Sequence, residues 1–424
     1  MKIALISLGC PKNLVDSEQL LALIGEEGFI ITDSIEEADI VIINTCGFIK
    51  DGVKESEENI RKVIRKNKKV IIWGCLVERE KEKLLRFRNI KGIAGVGDPE
   101  EVIKIIKEKR GKIVSMRESH FKDIKEFPRL ITTFPYAYLK ISEGCNNFCS
   151  YCLIPKLRGG LRSRRMEDIL KEAESIEKLG FKELILVAQD TTNYGKDLKD
   201  GSSLVKLLEE IEKFNFEWIR VMYMHPGHIE DELIEKIGES RKICKYFDIP
   251  MQHVSIKILK KMNRPIIDCE KLIDKIRKKI PSATIRTNFI IGFPGETEKD
   301  FNELLNFIEK MRIERIGFFK YSREKGTSAY NFKEQIPEEI KEKRVLTVIE
   351  KQKDISEEIL KKYLGKTLKV LIEKKENGFY IGRTEYDAPE IDGVVYVKDD
   401  NLKIGNFYDV KITETDSYNL YGEI

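Results

Sequence analysis

Three cysteines lie close together in the middle of the chain, at Cys145, Cys149 and Cys152. Their spacing is C-x3-C-x2-C, and thiolates at such short spacings are soft ligands that hold iron–sulfur clusters. A cubane cluster has four irons, so three thiolates leave one iron without a protein ligand and able to bind a small molecule. Tyr151 is placed to cover one face of such a cluster. The sequence therefore predicts an incompletely ligated [4Fe–4S] cluster.

Two other uses of this cysteine group remain open, a structural zinc site and a disulfide pair. Zinc usually takes four ligands in two pairs, and no fourth Cys or His lies nearby in the sequence. The iron–sulfur interpretation is favoured because it needs no fourth protein ligand.

A second set of cysteines is spread over the first part of the chain, at Cys10, Cys46 and Cys75. Each follows a short apolar segment that is typical of a buried strand. Ligands bind beyond the carboxyl ends of the strands in open parallel sheets, so we expect these thiols to converge on a second cluster. Adjacent glycines would let the backbone pass close to a bulky cofactor. The alternative is three small buried side chains, a common state of free cysteine.

Apolar segments alternate with amphipathic helical patterns through most of the chain, which predicts an α/β protein. Residues 1–116 are predicted to form a parallel α/β domain, and residues 117–134, which lack periodicity, a linker. Residues 135–362 contain six βα units, which predicts a partial (β/α) barrel with its site at the carboxyl ends of the strands. The strands predicted in the first domain are Lys2–Ser7, Asp39–Ile43 and Val70–Trp73. Those predicted in the barrel are Tyr136–Ser142, Leu184–Ala188, Trp218–Tyr223, Tyr246–Ile249, Thr284–Ile291 and Arg315–Tyr321.

The last part of the chain changes its apolar period to two, which predicts a small all-β module over residues 363–424, an antiparallel barrel. This module contains 8 Lys and Arg against 12 Asp and Glu, a net charge of −4. Because the whole chain carries +4, the remaining residues carry +8. The predicted strands are Thr367–Ile372, Gly378–Glu385, Gly393–Val397 and Tyr408–Glu414.

Polar residues follow several of the predicted barrel strands, where a ligand of such a barrel binds. Glycines flank Pro294 in the loop after the fifth strand and permit close approach of an adenine or a ribose. The alternative for each polar residue is a loop or capping role, and His228, which has no evident partner, is expected at the surface. The candidate cofactor-binding residues are Tyr151, Gln189, Asp190, His225, Arg286, Gly292 and Glu296.

A basic segment follows the central cysteine group and fits either an anionic substrate group or a solvated loop. Cys244 and Cys269 lie outside both cysteine sets and are expected to be ordinary buried thiols. The basic residues are Lys156, Arg158, Arg162, Arg164 and Arg165.

The composition, 35% charged and 41% hydrophobic over 424 residues, is that of a globular protein. No apolar segment approaches the roughly 20 residues of a membrane span, and no secretory signal is evident. We expect a cytoplasmic protein, because thiols there stay reduced and can hold metal. The net charge of +4 is too near balance to indicate nucleic-acid binding by the whole chain.

The segment from Cys145 to Cys152 resembles the signature of the radical S-adenosylmethionine (SAM) enzymes. In that family the open iron chelates SAM, and the reduced cluster cleaves it to a 5'-deoxyadenosyl radical. The resemblance implies that the loop from Gly292 to Glu296 and the other strand-end candidates contact SAM.

Essentially the whole chain resembles the methylthiotransferases, which combine an N-terminal three-cysteine domain, a radical SAM barrel and a C-terminal module called TRAM. Three segments resemble the RimO branch: Gly9-Cys10-Pro11-Lys12-Asn13, Ala188-Gln189-Asp190-Thr191 and Asp387-Ala388-Pro389-Glu390. The resemblance implies methylthiolation of the β-carbon of an aspartate in ribosomal protein S-twelve. It also implies two [4Fe–4S] clusters, one SAM for the radical and one for the methyl group, and an electron donor. An external sulfide source is expected, and two direct sources of the sulfur stay open: sulfide added to the second cluster, and sacrifice of that cluster.

Two other functions stay open. A MiaB-like enzyme would modify an adenosine of tRNA, and a non-catalytic iron–sulfur scaffold or electron carrier would not explain the open iron. Nucleic-acid binding depends on cationic contacts to phosphates, so an acidic β-module suits a basic ribosomal protein better than tRNA. We therefore expect S-twelve to dock on the C-terminal module, and tRNA is not the expected substrate.

Overall fold

The structure is a computed structural model that describes residues 1–97, 99–108, 113–115 and 128–424. The described chain forms a parallel α/β domain, a partial barrel and a small closed β-barrel. Of the predicted linker, residues 117–127 lie outside the described residues. Residues 128–134 form no helix or strand and pack on the first domain, where Arg129 pairs with Glu18 at 2.6 Å.

The first domain is a six-stranded parallel sheet in the order β2-β1-β3-β4-β5-β6. Its strands are β1 (Lys2–Ser7), β2 (Ile30–Ile31), β3 (Ile40–Thr45), β4 (Lys69–Gly74), β5 (Ile90–Ala94) and β6 (Ile113–Ser115). Its helices are α1 (Pro11–Glu26), α2 (Lys50–Arg65), α3 (Cys75–Leu84) and α4 (Pro99–Lys107). The three predicted strands are confirmed as β1, β3 and β4; the other three were not predicted.

The central strand β3 explains why this sheet is parallel and covered on both faces. All six of its residues are buried, and alternate residues pack into two different apolar clusters, one on each side of the sheet. Such a continuous apolar run is typical of strands with helices on both faces. Because β1, β3 and β4 are neighbours, the loops that follow them meet at one edge of the sheet.

The second domain contains the six predicted barrel strands and the helices between them. Its strands are β7 (Tyr136–Lys140), β8 (Ser142–Glu143), β9 (Arg162–Ser163), β10 (Glu183–Val187), β11 (Trp218–Val221), β12 (Tyr246–Asp248), β13 (Thr284–Ile291) and β14 (Arg315–Lys320). Its helices are α5 (Ile154–Leu157), α6 (Met166–Lys178), α7 (Leu204–Ile211), α8 (Asp231–Glu239), α9 (Ile256–Lys261), α10 (Cys269–Lys279), α11 (Glu298–Met311) and α12 (Glu338–Leu360). Short 3-10 helices lie at Thr191–Asn193, Pro226–His228, Ser328–Asn331 and Lys361–Tyr363.

The barrel is open, as predicted. Two parallel three-stranded sheets, β7-β10-β11 and β12-β13-β14, are joined by a parallel bridge between Ile219 and Ile243. The outer face of these strands packs under the helices in the largest apolar core of the described chain. The strands therefore present their carboxyl ends, and the loops that follow them, on one side of the domain.

The third domain is a closed barrel in the order β15-β16-β17-β19-β18. Four strand pairs are antiparallel, and β17 pairs with β19 in parallel, because β18 reverses the chain between them. The strand β19 was not predicted from the sequence. The strands are β15 (Thr367–Glu376), β16 (Phe379–Arg383), β17 (Val395–Val397), β18 (Phe407–Thr415) and β19 (Leu420–Glu423).

The small barrel and helix α1 both pack against the inner face of the partial barrel. Leu371 and Ala388 of the small barrel and Val15 of α1 share one apolar cluster with residues of β7, β10, β11 and β12. Arg383 donates to the buried carboxylate of Glu183 at 2.6 Å. Both outer domains therefore border the interior of the partial barrel. Among the described helices, none combines the length and the apolar character that crossing a membrane requires.

Candidate active site

The barrel triad, Cys145, Cys149 and Cys152, lies in the loop between β8 and α5. All three thiols are free, and each has a donor close by. The backbone N–H groups of Asn147 and Ile154 point to the sulfurs of Cys145 and Cys152 at 3.5 and 3.4 Å. The third sulfur, of Cys149, lies 3.9 Å from the guanidinium of Arg264. Donors of this kind stabilise thiolate ligands of a cluster.

Burial sets the acidity of these thiols. It raises the pKa of Cys145 to about 11 and that of Cys152 to about 12. A thiolate at either position needs nearby positive charge, and a bound metal supplies it because coordination deprotonates a thiol outright. The donor set therefore fits an iron–sulfur cluster.

The N-terminal triad, Cys10, Cys46 and Cys75, lies at the carboxyl ends of β1, β3 and β4. Two glycines allow the loops to approach: a Cβ on Gly9 would lie 3.1 Å from the Cβ of Cys46, and one on Gly47 would lie 2.5 Å from the carbonyl oxygen of Cys75. Burial raises the pKa of Cys46 and of Cys75, and the charge of Cys10 adds to both effects. The structure thus brings together three residues that are far apart in the sequence.

The spacing within each triad is wider than a single metal ion needs. Among the described residues, one group of three or more Cys, His, Asp or Glu side chains has its ligand atoms within 4.8 Å of one another, and it contains no cysteine. A tetrahedral zinc ion draws its ligands together at about 2.0–2.3 Å from the metal, which places them close to one another. The wider spacing suits a cluster, whose thiolates bind different irons.

A buried polar bridge connects the two triads. Arg158, which follows the barrel triad and is 2% exposed, donates to both carboxylate oxygens of Glu143 at 2.9 Å and reaches Asp16 of α1 at 3.4 Å. It also donates to Asn13. Lys140 of β7 pairs with the same two carboxylates. The open question about the basic segment is therefore answered for Arg158, which is not part of a solvated loop.

Four predicted cofactor-binding residues lie around the barrel triad. Gln189 donates to Glu143 at 2.7 Å, and Asp190 accepts from Asn147, within the triad loop, at 2.8 Å. Tyr151 packs edge to face on Phe293, with ring centroids 6.5 Å apart. Burial, followed by the charge of Cys149, raises the pKa of Tyr151 well above its usual value.

His225 is the fourth of these residues, and the structure also places His228 beside it. The two rings stack at 4.5 Å, and His228 lies 3.0 Å from the carboxylate of Asp190. The expectation that His228 is a surface residue without a partner is therefore wrong. The 3-10 helix Pro226–His228, which has no local sequence signal, turns its ring toward Asp190. Burial lowers the pKa of His225 to about 3, so its imidazole is neutral at pH 7.

The other three predicted residues lie in the fifth barrel strand, β13, and in the loop that follows it. Arg286 faces the carboxylates of Asp248 and Asp392 at 4.0 and 3.9 Å. The backbone N–H of Gly292 donates to Glu296 at 2.8 Å, and Arg344 donates to the same carboxylate at 2.7 Å. Glu296 thus shapes the loop, and Gly292 has the positive φ of 74° that a tight turn requires.

Sequence reasoning missed two cations at this site. Arg264 lies about a hundred residues from the cysteine that it contacts. Lys12 places its ammonium 3.6 Å from the ring centroid of Tyr223, a residue of the second domain. Neither contact has a local sequence signal.

Fold and site together fit a radical SAM protein, and one of three family matches names this class. Residues 139–308 match the Radical SAM superfamily, residues 364–424 match the TRAM domain, and residues 2–95 match the uncharacterised protein family UPF0004. Membership of the superfamily implies a [4Fe–4S] cluster and SAM. A solved structure of the radical SAM methyltransferase TsrM from Kitasatospora setae has a TM-score of 0.57 at 14% identity, with 90% of this chain and 80% of that chain covered. This likeness shows the fold.

Full-length relatives identify the family within that class. The chain is 46% identical to the ribosomal protein uS12 methylthiotransferase RimO of Clostridioides difficile, with 100% of this chain and 99% of the relative covered. It is 42% identical to the protein of the same name from Thermotoga maritima, with both chains covered completely. The protein belongs to the RimO family.

Proposed function

We propose that this protein methylthiolates the β-carbon of an aspartate in ribosomal protein uS12. One observation carries the proposal: two triads of free cysteines lie at the carboxyl ends of two neighbouring parallel sheets and are connected by the buried Arg158 bridge. Family membership over the full length of the chain adds support, since the relatives bear the name of this activity. A MiaB-like activity on tRNA is the alternative, and the names of the relatives favour uS12.

The overall reaction replaces one C–H bond of the aspartate side chain with a C–S bond to a methylthio group. A cluster held by the barrel triad would, with one electron from a reductant, supply the cleavage of SAM to methionine and a 5'-deoxyadenosyl radical, which would take the hydrogen from the β-carbon and become 5'-deoxyadenosine. A second SAM would give its methyl group to sulfide and leave as S-adenosylhomocysteine. Bonding of the carbon radical to this methylthiolate would release one electron, which a second cluster held by the N-terminal triad would accept; the sulfur would come from an external sulfide source or from that cluster. Such a C–H bond is too weakly acidic for acid–base chemistry, so cofactors carry this step.

The residues of the chain hold and orient the reacting groups. In this proposal the barrel triad binds the SAM-cleaving cluster, with Arg264 beside Cys149, and the N-terminal triad binds a second [4Fe–4S] cluster that handles sulfur. The SAM-contacting residues proposed are Tyr151, Gln189, Asp190, His225, Arg286, Gly292 and Glu296. The two outer domains border the barrel interior.

Docking of uS12 is proposed to use the C-terminal module. Its net charge of −4 attracts a basic protein and disfavours tRNA, and a ribosomal substrate implies a cytoplasmic enzyme. Three of its twelve acidic residues face inward in the structure: Asp387 pairs with Arg315, Asp392 faces Arg286, and Glu373 pairs with Arg383. The surface available for docking is therefore less acidic than the sequence count indicates.

Mass spectrometry of a host that expresses this gene tests the proposal. In a host without its own methylthiotransferases, we expect one added methylthio group on an aspartate of uS12 and none on tRNA. A chain with Cys149→Ala serves as the control and should add none. Methylthiolated tRNA with unmodified uS12 would reverse the assignment.

A further inference from the structure

Lys12 belongs to the first domain, but its side chain extends into the interior of the second. It lies in the first turn of α1, is 8% exposed, and places its ammonium over the ring of Tyr223, in the loop after β11. Cys10 lies two residues before it, and Asn13 and Asp16 of the same helix join the Arg158 bridge to the barrel triad. The ammonium therefore lies in the barrel interior, near Cys10 and the Arg158 bridge that connects the triads.

Unlike two other buried lysines, this ammonium has no carboxylate partner; its neighbours are the ring of Tyr223 and the thiol of Cys10. Lys140 pairs with Asp16 and Glu143, and Lys341 pairs with Glu338 at 3.2 Å. Over the described residues, no carboxylate oxygen lies within 4.0 Å of Lys12 Nζ and no hydrogen bond from it is found. A buried charge without a partner is costly, and a cation in the first turn of a helix is disfavoured by the helix dipole. An anion bound beside this ammonium would offset both costs.

The surrounding groups support a polar ligand in this space. One carboxylate oxygen of Asp248, Oδ1, is buried without a hydrogen-bond partner, as is the amide oxygen of Gln189. The guanidinium of Arg286 has only the long contacts to Asp248 and Asp392, at 4.0 and 3.9 Å. Buried polar groups are normally hydrogen-bonded, so several unsatisfied groups in one interior indicate a ligand that supplies partners.

The position of the reacting carbon in the substrate indicates which anion binds beside Lys12. The β-carbon of an aspartate is bonded directly to its carboxylate, so a cation that binds the carboxylate also fixes the carbon that reacts. A carboxylate bound by Lys12 would hold that carbon near the bridge that connects the two triads, which is the position the reaction needs.

We propose that Lys12 binds the side-chain carboxylate of the target aspartate and thereby makes the enzyme specific for aspartate. This inference rests on the proposed function and assigns to Lys12 a specificity-determining role. SAM also carries a carboxylate, so the test must separate the two sources.

The test compares binding of purified uS12 with binding of a uS12 variant whose target aspartate is asparagine, using the reconstituted holoenzyme without oxygen. A charge-assisted hydrogen bond predicts that the wild-type enzyme binds uS12 about 10- to 100-fold more tightly than the asparagine variant. Lys12→Met, which keeps length and removes charge, should bring this ratio close to one. Lys50→Met, an exposed lysine that begins α2 near Cys46, should leave the ratio unchanged.

Further measurements distinguish the other outcomes. Lys12→Met should keep its iron content and its affinity for SAM. The inference is overturned if the aspartate-to-asparagine ratio survives in Lys12→Met, or if the ratio falls only together with a loss of iron or SAM binding. If wild-type enzyme neither binds nor modifies uS12, the proposed function itself fails, and that result is distinct from a preserved ratio.

Discussion

The two cysteine triads differ in how the chain assembles them. The barrel triad comes from one loop of eight residues, between Cys145 and Cys152. The N-terminal triad comes from three strand ends, at Cys10, Cys46 and Cys75, and exists only because β1, β3 and β4 are neighbours. A local triad depends on spacing alone, whereas a distributed triad depends on the register of the whole sheet.

The triads also differ in the charge around them. Burial opposes ionisation of Cys10, but Lys12 and Arg158 outweigh it, and the pKa of Cys10 falls below its usual value. Burial raises the pKa values of Cys46 and Cys75, as it does those of Cys145 and Cys152, so Cys10 is the exception. Arg158 belongs to the barrel, so the electrostatics of the N-terminal triad are completed by the second domain.

The largest expected difference between the roles of the two triads appears when the barrel triad is removed. The change Cys145→Ala, Cys149→Ala, Cys152→Ala should abolish reductive SAM cleavage and reduce the iron from about eight to about four per chain, because one cluster remains. Iron and sulfide analysis after anaerobic reconstitution checks this. The control variant Cys244→Ala, which removes a buried thiol outside both triads, should keep about eight irons per chain. Eight irons in the triple variant would show that the cluster assignment is wrong.

The bridge between the triads can be broken at Arg158. Arg158→Met leaves the buried carboxylates of Glu143 and Asp16 with less positive charge, and removing one member of a buried pair costs about 3–5 kcal/mol. Urea unfolding of the reduced apo chain measures the loss. Arg61→Met, on the exposed face of α2, should change stability by less than about 0.5 kcal/mol. An equal loss of stability in the two variants would contradict the stabilising role of the Arg158 bridge.

A smaller change should distinguish the cluster at the barrel triad from the one at the N-terminal triad. Arg264→Met removes the positive donor near Cys149 Sγ, and hydrogen bonds to cluster sulfurs help to set the reduction potential. We expect the potential of the barrel cluster to become more negative, while that of the N-terminal cluster stays constant. Redox titration followed by electron paramagnetic resonance measures both. Arg264→Lys keeps the charge and should shift the potential less; a potential that is the same in all three proteins would contradict this role.

The smallest effects are expected at the surface of the C-terminal module. Truncation near Tyr363 is a poor test of docking, because it would expose the apolar cluster shared with the barrel. Asp400→Lys with Glu414→Lys reverses exposed charges instead and should weaken uS12 binding by roughly 2- to 5-fold per charge, less at high salt. Lys411→Glu should strengthen binding at low salt. Affinities for uS12, measured across a salt series, test these expectations. If neither charge reversal changes the affinity, uS12 docks on another surface.

Most of the fold could be predicted from the sequence because its signals are local. Strands such as β1 and β13 match their predicted bounds, since apolar periodicity and flanking turns determine them. The short strands β2 and β6 have two and three residues, too few for a periodic pattern. The strand β19 completes a barrel, and its parallel pairing with β17 depends on closure rather than on its own four residues.

The candidate site could be predicted only in part, for the same reason. The cysteines were found because their spacing and their positions after strands carry the signal. The contact between Arg264 and Cys149, the pairing of His228 with Asp190, and the position of Lys12 over Tyr223 depend on tertiary packing. The predicted docking charge was overestimated because a count of acids cannot tell which ones face inward, as Asp387 does.

The central claim is that the barrel triad generates the radical while the N-terminal triad handles sulfur. The most direct test is one assay of the variant Cys10→Ala, Cys46→Ala, Cys75→Ala with SAM, a reductant, a sulfide source and uS12. Mass spectrometry should detect 5'-deoxyadenosine at a level close to that of the wild-type enzyme and no methylthiolated uS12. A folded variant that forms no 5'-deoxyadenosine, or one that still methylthiolates uS12, would contradict this division of roles.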